Sequence, residues 1–501
     1  MRPQPLTRAE QSAWRATTTH AELLDFLAVL DGWDDPRWRL TDFGQSVEGR
    51  SLPLVILSRD GVATPQQARA TGRPVILLLC GIHPGEVEGK EAALMLLRDW
   101  LGGLDRDALD AMTLVVVPLF NPDGNDRIHP DNRKLELRHL MGQLGPEAGV
   151  GTRANAMGIN LNRDYLRQDA PESRLLSSRV VQAWQPDLTI DCHATNGSVH
   201  RFALTYDTPH TVHSGARAPM DWVRQGLLPA VTARLKARTG LDTFFYGNFL
   251  ADEGKQGEGW TTYTHHPRFG SNYRGLTGRA DLLLETYSYL PFEERVRTTY
   301  EFVRESLAYA AEQSNGLLAA VAAGRTPPET VAVRYALEAE DAPARILSRE
   351  PRRLDGAPTE LLVPHLARWV GTEVVARPWA YTVPPELVTR LAGHGLRLRR
   401  LEADLEATVE TARVEAVRPL ESRNILEASA SGEVELLGAY ETRAARLPAG
   451  SWLLETEQPL GALATYLCEL RSDDGVVQCG WLPLPQVGEA FAIGRVLGVV
   501  G

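Results

Sequence analysis

A mixed, mostly parallel sheet with helices on both faces, followed by a smaller strand-rich α+β domain, is the architecture this chain of 501 residues predicts. Three observations lead there. PVILLLC (74–80) and MTLVVVPLF (112–120) are unbroken apolar runs of strand length, the pattern of strands covered on both faces. The first passes through the glycine turn GIHPGE into EGKEAALMLLRDWL, where Ala92, Ala93, Leu96, Leu97 and Trp100 recur at helical spacing. From about residue 315 onward the helical patterns thin out and short strand-like stretches take over.

In chain order, residues 20–60 predict a helix and then two strands, the alternation in WRLTDFGQSVEGRSLPLVILSR folding back at Glu48-Gly49-Arg50. Further strands are expected at 187–192 (DLTIDC), 201–207 (RFALTYD) and 279–285 (RADLLLE), with helices around 173–184, 216–238 and 292–314. Alternation of this kind implies a largely parallel sheet with both faces covered. Its ligands collect beyond the carboxyl ends of the strands. NGLLAAVAAGRTPPET reads as a helix end and a linker, dividing a catalytic region (1–320) from an accessory region (325–501). In the latter, TVAVRYAL, RPWAYTV, ATVETARVEAV and GSWLLET are strand-like, and PPELVTRLAGHG is a helix between two strands.

Composition narrows the partners. Lys+Arg 53 against Asp+Glu 64 gives a net charge of −11 and a pI near 5.6. Phosphate binding depends on a basic surface, so nucleic acid is not the expected partner. No stretch approaches the roughly 20 apolar residues of a membrane span, the amino terminus lacks the pattern of an export signal, and the short run LLDFLAVL reads as an amphipathic helix. Cys80, Cys192, Cys468 and Cys479 form no Cys-x-x-Cys pair. Free thiols and a cytoplasmic setting are expected.

The chemistry-bearing residues sit where these strands end. A catalytic zinc takes three protein ligands and leaves one position open. His83 and Glu86, in the turn after 74–80, and His193, after 187–192, form a set of two imidazoles and one carboxylate. Read alone, the loop is equally a polar connection in which Glu86 caps the next helix. Glu285 ends another apolar strand. It is either an ordinary strand-end acid or a general base for water acidified by the metal. In Arg153-Ala-Asn155-Ala-Met-Gly158-Ile-Asn160-Leu-Asn162-Arg163-Asp164, the Arg163 fork and the Asn162 amide suit a substrate carboxylate. Arg153 suits a developing oxyanion. The alternative is that both arginines make surface salt bridges.

With His83-x-x-Glu86, Asn121-Pro122-Asp123-Gly124, Arg153-x-Asn-x-x-Gly with Asn162-Arg163, His193 and Glu285 in this order, the chain resembles the zinc carboxypeptidases over about residues 20–315. That family includes carboxypeptidases A and B, and the Arg153 segment is most similar to its bacterial and cytosolic branch. The resemblance implies one Zn2+ per chain on His83, Glu86 and His193, with Glu285 as base. It gives Asn162 and Arg163 the substrate carboxylate and Arg153 the scissile carbonyl. It further implies a capping tyrosine, Tyr263 or Tyr273. The implied activity is release of a C-terminal residue from a peptide or small amide with a free carboxylate. Acyl-amino-acid deacylation, cell-wall peptide cleavage and deglutamylation on the same site are alternatives, and a binding or scaffold protein on an inactive site is another.

Three departures stand out. Asn160 replaces the aspartate that orients the first zinc histidine, a role then expected of Asp164 or Asp191. Gly85 stands where the family often has an arginine. Arg268, Arg274 and Arg279 make the specificity segment basic, which either favours an acidic substrate side chain or pairs with the chain's own acids. The oligomeric state is not encoded in any of these features.

Overall fold

The structure is a computed structural model describing residues 4–252, 254–419 and 434–500. Its strands begin with a hairpin, β1 (Trp38–Gln45) and β2 (Ser51–Ser58), paired antiparallel as the alternation predicts. Then come β3 (Val75–Cys80), β4 (Thr113–Val117), β5 (Leu188–Thr195), β6 (Leu204–Asp207), β7 (Thr243–Phe245), the short pair β8 (Asn248–Phe249) and β9 (Trp260–Thr261), and β10 (Ala280–Tyr287). Eight of these form one sheet in the order β1-β2-β4-β3-β5-β10-β6-β7. The central run β4-β3-β5-β10 is parallel, whereas β2 and β6 join it antiparallel.

Every residue of β3, β4 and β5 is buried; β3 and β4 are accordingly almost wholly apolar, whereas β5 buries Thr189, Asp191, His193 and Thr195 among its apolar residues. On one face, Leu57, Ile76, Leu78, Leu114 and Leu188 pack under the helices His20–Asp31, Glu88–Leu101, Leu228–Thr239 and Phe292–Glu312. A buried ion pair, Glu88 with Arg295, ties two of those helices together. β5 and β10 extend past the expected strand ends, so His193 and Glu285 lie inside their strands. They are register partners, Glu285 opposite His193.

The opposite face is covered in part by the C-terminal region. Leu77, Leu79, Val115 and Val117 share one core with Val333, Tyr381, Leu387, Leu454 and Leu463. The change of texture falls at the helix Ser314–Gly324, after which come β11 (Thr330–Ala339), β12 (Ala344–Glu350), β13 (Ala357–Val363) and β14 (His365–Ala376). β14 pairs with β11 on one side and runs parallel to β9 on the other, giving a four-stranded sheet β11-β14-β9-β8 built from both halves of the chain. The remaining strands, β15 (Ala380–Val383), β16 (Arg399–Arg400), β17 (Leu405–Pro419), β18 (Val434–Leu447), β19 (Trp452–Glu455) and β20 (Gly494–Val499), form a sheet in the order β16-β19-β15-β20-β17-β18.

The helix Pro385–Gly393 stands where its sequence predicts. Gly461–Cys468 is an additional helix, buried on all sides and therefore without an amphipathic period. All four cysteines are free and buried. Among the described residues no helix is long and apolar enough to cross a membrane.

A continuous core predicts cooperative unfolding. Leu463→Ala, at a fully buried position of the C-terminal region, is expected to cost about 2–5 kcal/mol and to lower a single transition in calorimetry. Two separated transitions would show that the halves unfold independently.

Candidate metal centre and substrate cleft

The site begins where β3 ends. Gly81 takes φ +70°, a left-handed turn that glycine adopts without strain. The chain then drops through His83 and Glu86 before the helix Glu88–Leu101 starts. Nδ1 of His83 lies 3.2 Å from Nδ1 of His193 and 3.2 Å from Oε1 of Glu86. Nδ1 of His193 lies 3.0 Å from Oε2 of Glu86. All three side chains are buried, and their donor atoms face one point.

The other nitrogen of each ring is turned to an oxygen. Nε2 of His83 is 2.9 Å from Oδ1 of Asn160. Nε2 of His193 is 3.1 Å from Oδ1 of Asp191, an ion-pair approach whose angle falls short of a hydrogen bond. Asp191 is itself gripped by Arg274. This is how metal-binding imidazoles are held, the outer nitrogen anchored and the inner lone pair presented. Two nitrogens and a carboxylate with this spacing suit zinc.

Burial, then the charge of Arg153, pushes His83 down to about 3, so it is neutral at pH 7. Burial opposes charge on His193 as well, but Asp191 and Glu86 lift it well above its ordinary range. Glu86 is held well below the usual carboxylate range by His83 and Arg133 against the cost of burial. Glu285 is raised to about 8 by burial, with His193 pulling the other way.

The cleft around this point holds about 670 Å3 and is lined by His83, Glu86, Arg153, Asn162, Arg163, Tyr263 and Glu285 among others. Asn155 organises the loop that supplies three of them: its Oδ1 accepts the N–H groups of Met157 and Ile159, and its Nδ2 donates to buried Glu172. Arg153 reaches Glu86 Oε1 at 3.2 Å. Asn162 accepts the Gly270 N–H at 2.9 Å, which leaves its amide NH2 as the donor side. The guanidinium of Arg163 stacks 3.5 Å over the ring of Phe269. Asn121-Pro122-Asp123-Gly124 plays a structural part. Asn121 caps its own turn, and buried Asp123 accepts from Ser46 and Arg50 to pin the β1–β2 turn.

Several expectations need correction. Neither Asp164 nor Asp191 takes over from Asn160; the amide oxygen of Asn160 contacts His83 directly, while Asp164 binds the backbone N–H groups of Asp169 and Ala170. Tyr273 does not reach the cleft, because it lies in a buried helix with its hydroxyl 2.8 Å from His394 Nδ1. Tyr263 does line the cleft, its hydroxyl turned to the Thr208 carbonyl at 3.4 Å. The three arginines of the basic segment pair internally: Arg268 with Asp474, Arg274 with Asp191 and Asp281, and Arg279 with the Pro186 carbonyl. They supply no cationic pocket for an acidic side chain.

One residue escaped the sequence reading. Arg133 adopts φ +50°, a conformation uncommon outside glycine, and its Nη1 lies 2.9 Å from Glu86 Oε1. Gln143 steadies it at Nε. A Cβ on Gly85 would stand 2.5 Å from Cδ of Arg133, so the glycine makes room for this arginine. The only signal in the sequence is Gly85 itself.

A buried two-imidazole, one-carboxylate centre at the carboxyl edge of an α/β sheet defines the class of site. Residues 24–213 match the family model of the zinc carboxypeptidases. That match includes His83, Glu86, His193 and the Arg153–Arg163 segment and stops short of Glu285. Mouse carboxypeptidase D is 30% identical over 142 residues, covering 25% of this chain and 10% of that protein. Carboxypeptidase 2 of Trichophyton tonsurans is 23% identical over 498 residues, covering 94% of this chain and 84% of its own. A metallo-carboxypeptidase structure from Burkholderia cenocepacia is 18% identical with a TM-score of 0.41, covering 58% of this chain and 68% of that one.

The protonation pattern makes metal binding a proton-releasing event. Asp191 and Glu86 favour the protonated form of His193, whose ring would have to present a lone pair to a metal, and burial favours the protonated form of Glu285. A bound dication favours the deprotonated form of both. Zinc titrations in buffers of different ionisation heat are therefore expected to show about one to two protons released at pH 7, with affinity rising as pH rises. Uptake without proton release would contradict this protonation pattern.

Proposed function

We propose that the chain hydrolyses the C-terminal amide bond of a peptide, or of a small peptide-like amide with a free carboxylate, using one zinc on His83, Glu86 and His193. The observation that carries the reading is the approach of two imidazole Nδ1 atoms and the Glu86 carboxylate to within 3.2 Å of one another in a buried cleft. Zinc bound there supplies a Lewis acid that polarises a carbonyl and acidifies water to a pKa of about 7.

The protein's own groups do the rest. Glu285, beside His193 on the neighbouring strand, takes a proton from the attacking water and passes it to the leaving amine. Its carboxyl, lifted by burial toward neutrality, is matched to both tasks. Arg153 stands beside Glu86 with its guanidinium toward the cleft, where negative charge grows on the scissile carbonyl oxygen. Arg163 and the Asn162 amide hold the substrate's carboxylate. The Phe269 ring beneath Arg163 keeps the fork in one plane. Tyr263 lies along the same wall and closes over the bound end. Arg133 fixes Glu86 through Oε1, the oxygen that His83 also approaches.

Peptides with a free C-terminus, their C-terminal amides and N-acylated amino acids, each with and without a chelator, separate this reading from deacylase chemistry on the same residues. Hydrolysis of the amides at the rate of the free acids would overturn it. Glu285→Gln is expected to retain zinc while kcat falls on the order of 10²–10⁴-fold; unchanged turnover removes Glu285 as the base. Arg163→Ala is expected to raise KM for free-acid substrates and leave amidated ones unaffected. His193→Ala is expected to bring the zinc content, measured by atomic emission, from one per chain to near zero.

A further inference from the structure

The segment between β9 and β10 forms one wall of the cleft, carrying Tyr263, Phe269 and Gly270, and its outer side is held by the C-terminal region at four successive points. The Thr262 N–H donates to the Leu366 carbonyl at 3.0 Å. Indole Nε1 of Trp369, on β14, donates to the Tyr263 carbonyl at 3.0 Å. Nε2 of His265 lies 2.7 Å from Asp473 Oδ2. Arg268 gives its backbone N–H and its guanidinium to the carboxylate of Asp474, at 2.9–3.1 Å.

The last contact is the most tightly built. Arg268 and Asp474 are 5% and 2% exposed, so the pair is desolvated on both sides, and such a pair is strongly directional. The loop bearing the two aspartates is itself fixed. The Asp473 N–H donates to the Val333 carbonyl on β11, and Tyr466 donates to the other oxygen of Asp473. From Arg268 the chain goes directly to Phe269, whose ring lies under Arg163, and to Gly270, whose N–H holds Asn162. One residue and a stacking contact therefore lead from the C-terminal ion pair to Arg163, and two residues and a hydrogen bond lead from it to Asn162.

His265, His266 and Asp473 also approach one another closely enough to suggest a second ion site. Yet Nε2 of His265 is engaged by Asp473 and Nδ1 of His266 by Thr264. His265 is further enclosed by Tyr335 and Trp369, with ring centroids 4.7 and 4.5 Å away. The cluster is a hydrogen-bonded strut.

We infer that Asp474, with Trp369, is a positioning residue for substrate recognition: the C-terminal region sets the register of the Arg268–Gly270 segment and, through it, the geometry of Asn162 and Arg163. The inference rests on the carboxylate-clamp reading above. A shift of the segment misaligns a fork that must meet two oxygens at once, while His83, Glu86, His193 and Glu285 stand on other elements. The effect therefore falls on binding of the carboxylate and leaves the metal and the base in place.

The test is steady-state kinetics of the zinc-loaded full-length chain with free-acid and C-terminally amidated versions of one peptide. Asp474→Asn is expected to raise KM for the free acid about tenfold with kcat within about twofold, to leave the amidated peptide and the zinc content unchanged, and to be restored in part by Asp474→Glu. Trp369→Phe keeps an aromatic ring at the position but removes the donor to Tyr263 together with part of the indole's volume. It is expected to give a smaller rise in KM, about threefold, and it decides the matter should Asp474→Asn fail to fold. Unchanged KM in a folded variant, or equal losses on both peptides, overturns the inference. A wild-type enzyme that does not favour the free acid overturns the clamp reading itself.

Discussion

The chemistry of this molecule turns on two imidazole nitrogens placed 3.2 Å apart away from water. Two bare lone pairs at that distance repel, and two N–H groups collide, so one ring donates to the other; with both outer nitrogens also facing acceptor oxygens, that arrangement favours positive charge between or upon the rings. Glu86 supplies the balancing negative charge, and Arg133 and Arg153 both reach its Oε1, which favours the ionised carboxylate. Asp191 and Glu86 lift His193 well above its ordinary range against the cost of burial, so a proton there is one source of that charge, and the donor set suits a dication as another. The parallel run β3-β5-β10 enforces the proximity. Strands that share a direction end on the same edge, and hydrogen bonding sets Glu285 opposite His193.

Much of this was legible in the sequence because strand ends are legible. A strand-like stretch that ends in a polar residue with chemistry to offer points to the sheet edge: His83 lies just beyond β3, and His193 and Glu285 lie near the carboxyl ends of β5 and β10. Arg133 was not legible. It sits in a long loop without periodicity, and its reach to Glu86 depends on a left-handed backbone that no residue pattern announces. Gly85 shows the limit from the other side: it reads as a missing arginine, whereas in space it is the room an arginine from elsewhere needs. Asn160 reads as a lost carboxylate, but an amide oxygen accepts from an imidazole N–H just as a carboxylate does. Charge is removed and orientation is kept.

The basic segment at 268–279 misleads for a related reason. Charge along a chain says nothing about where its partners lie. Arg274 meets Asp281 seven positions on, and Arg268 meets Asp474 at a separation of 206. The region boundary behaves in the same way. The change from helical to strand-like texture is real as local periodicity, but a core is a non-local object, and this one runs from Leu77 on the large sheet through to Leu463 near the end of the chain.

The separation of 206 residues has a consequence in time. A ribosome adds roughly 5–20 residues per second, so some 10–40 s pass between the emergence of Arg268 and that of the aspartate that fixes it. During that interval the histidines, Glu86 and Glu285 have all been synthesised, while one wall of the cleft still lacks its outer support. A nascent chain thus has the residues around His83, Glu86, His193 and Glu285 in hand well before the contact that steadies the Phe269–Gly270 wall of the cleft can form.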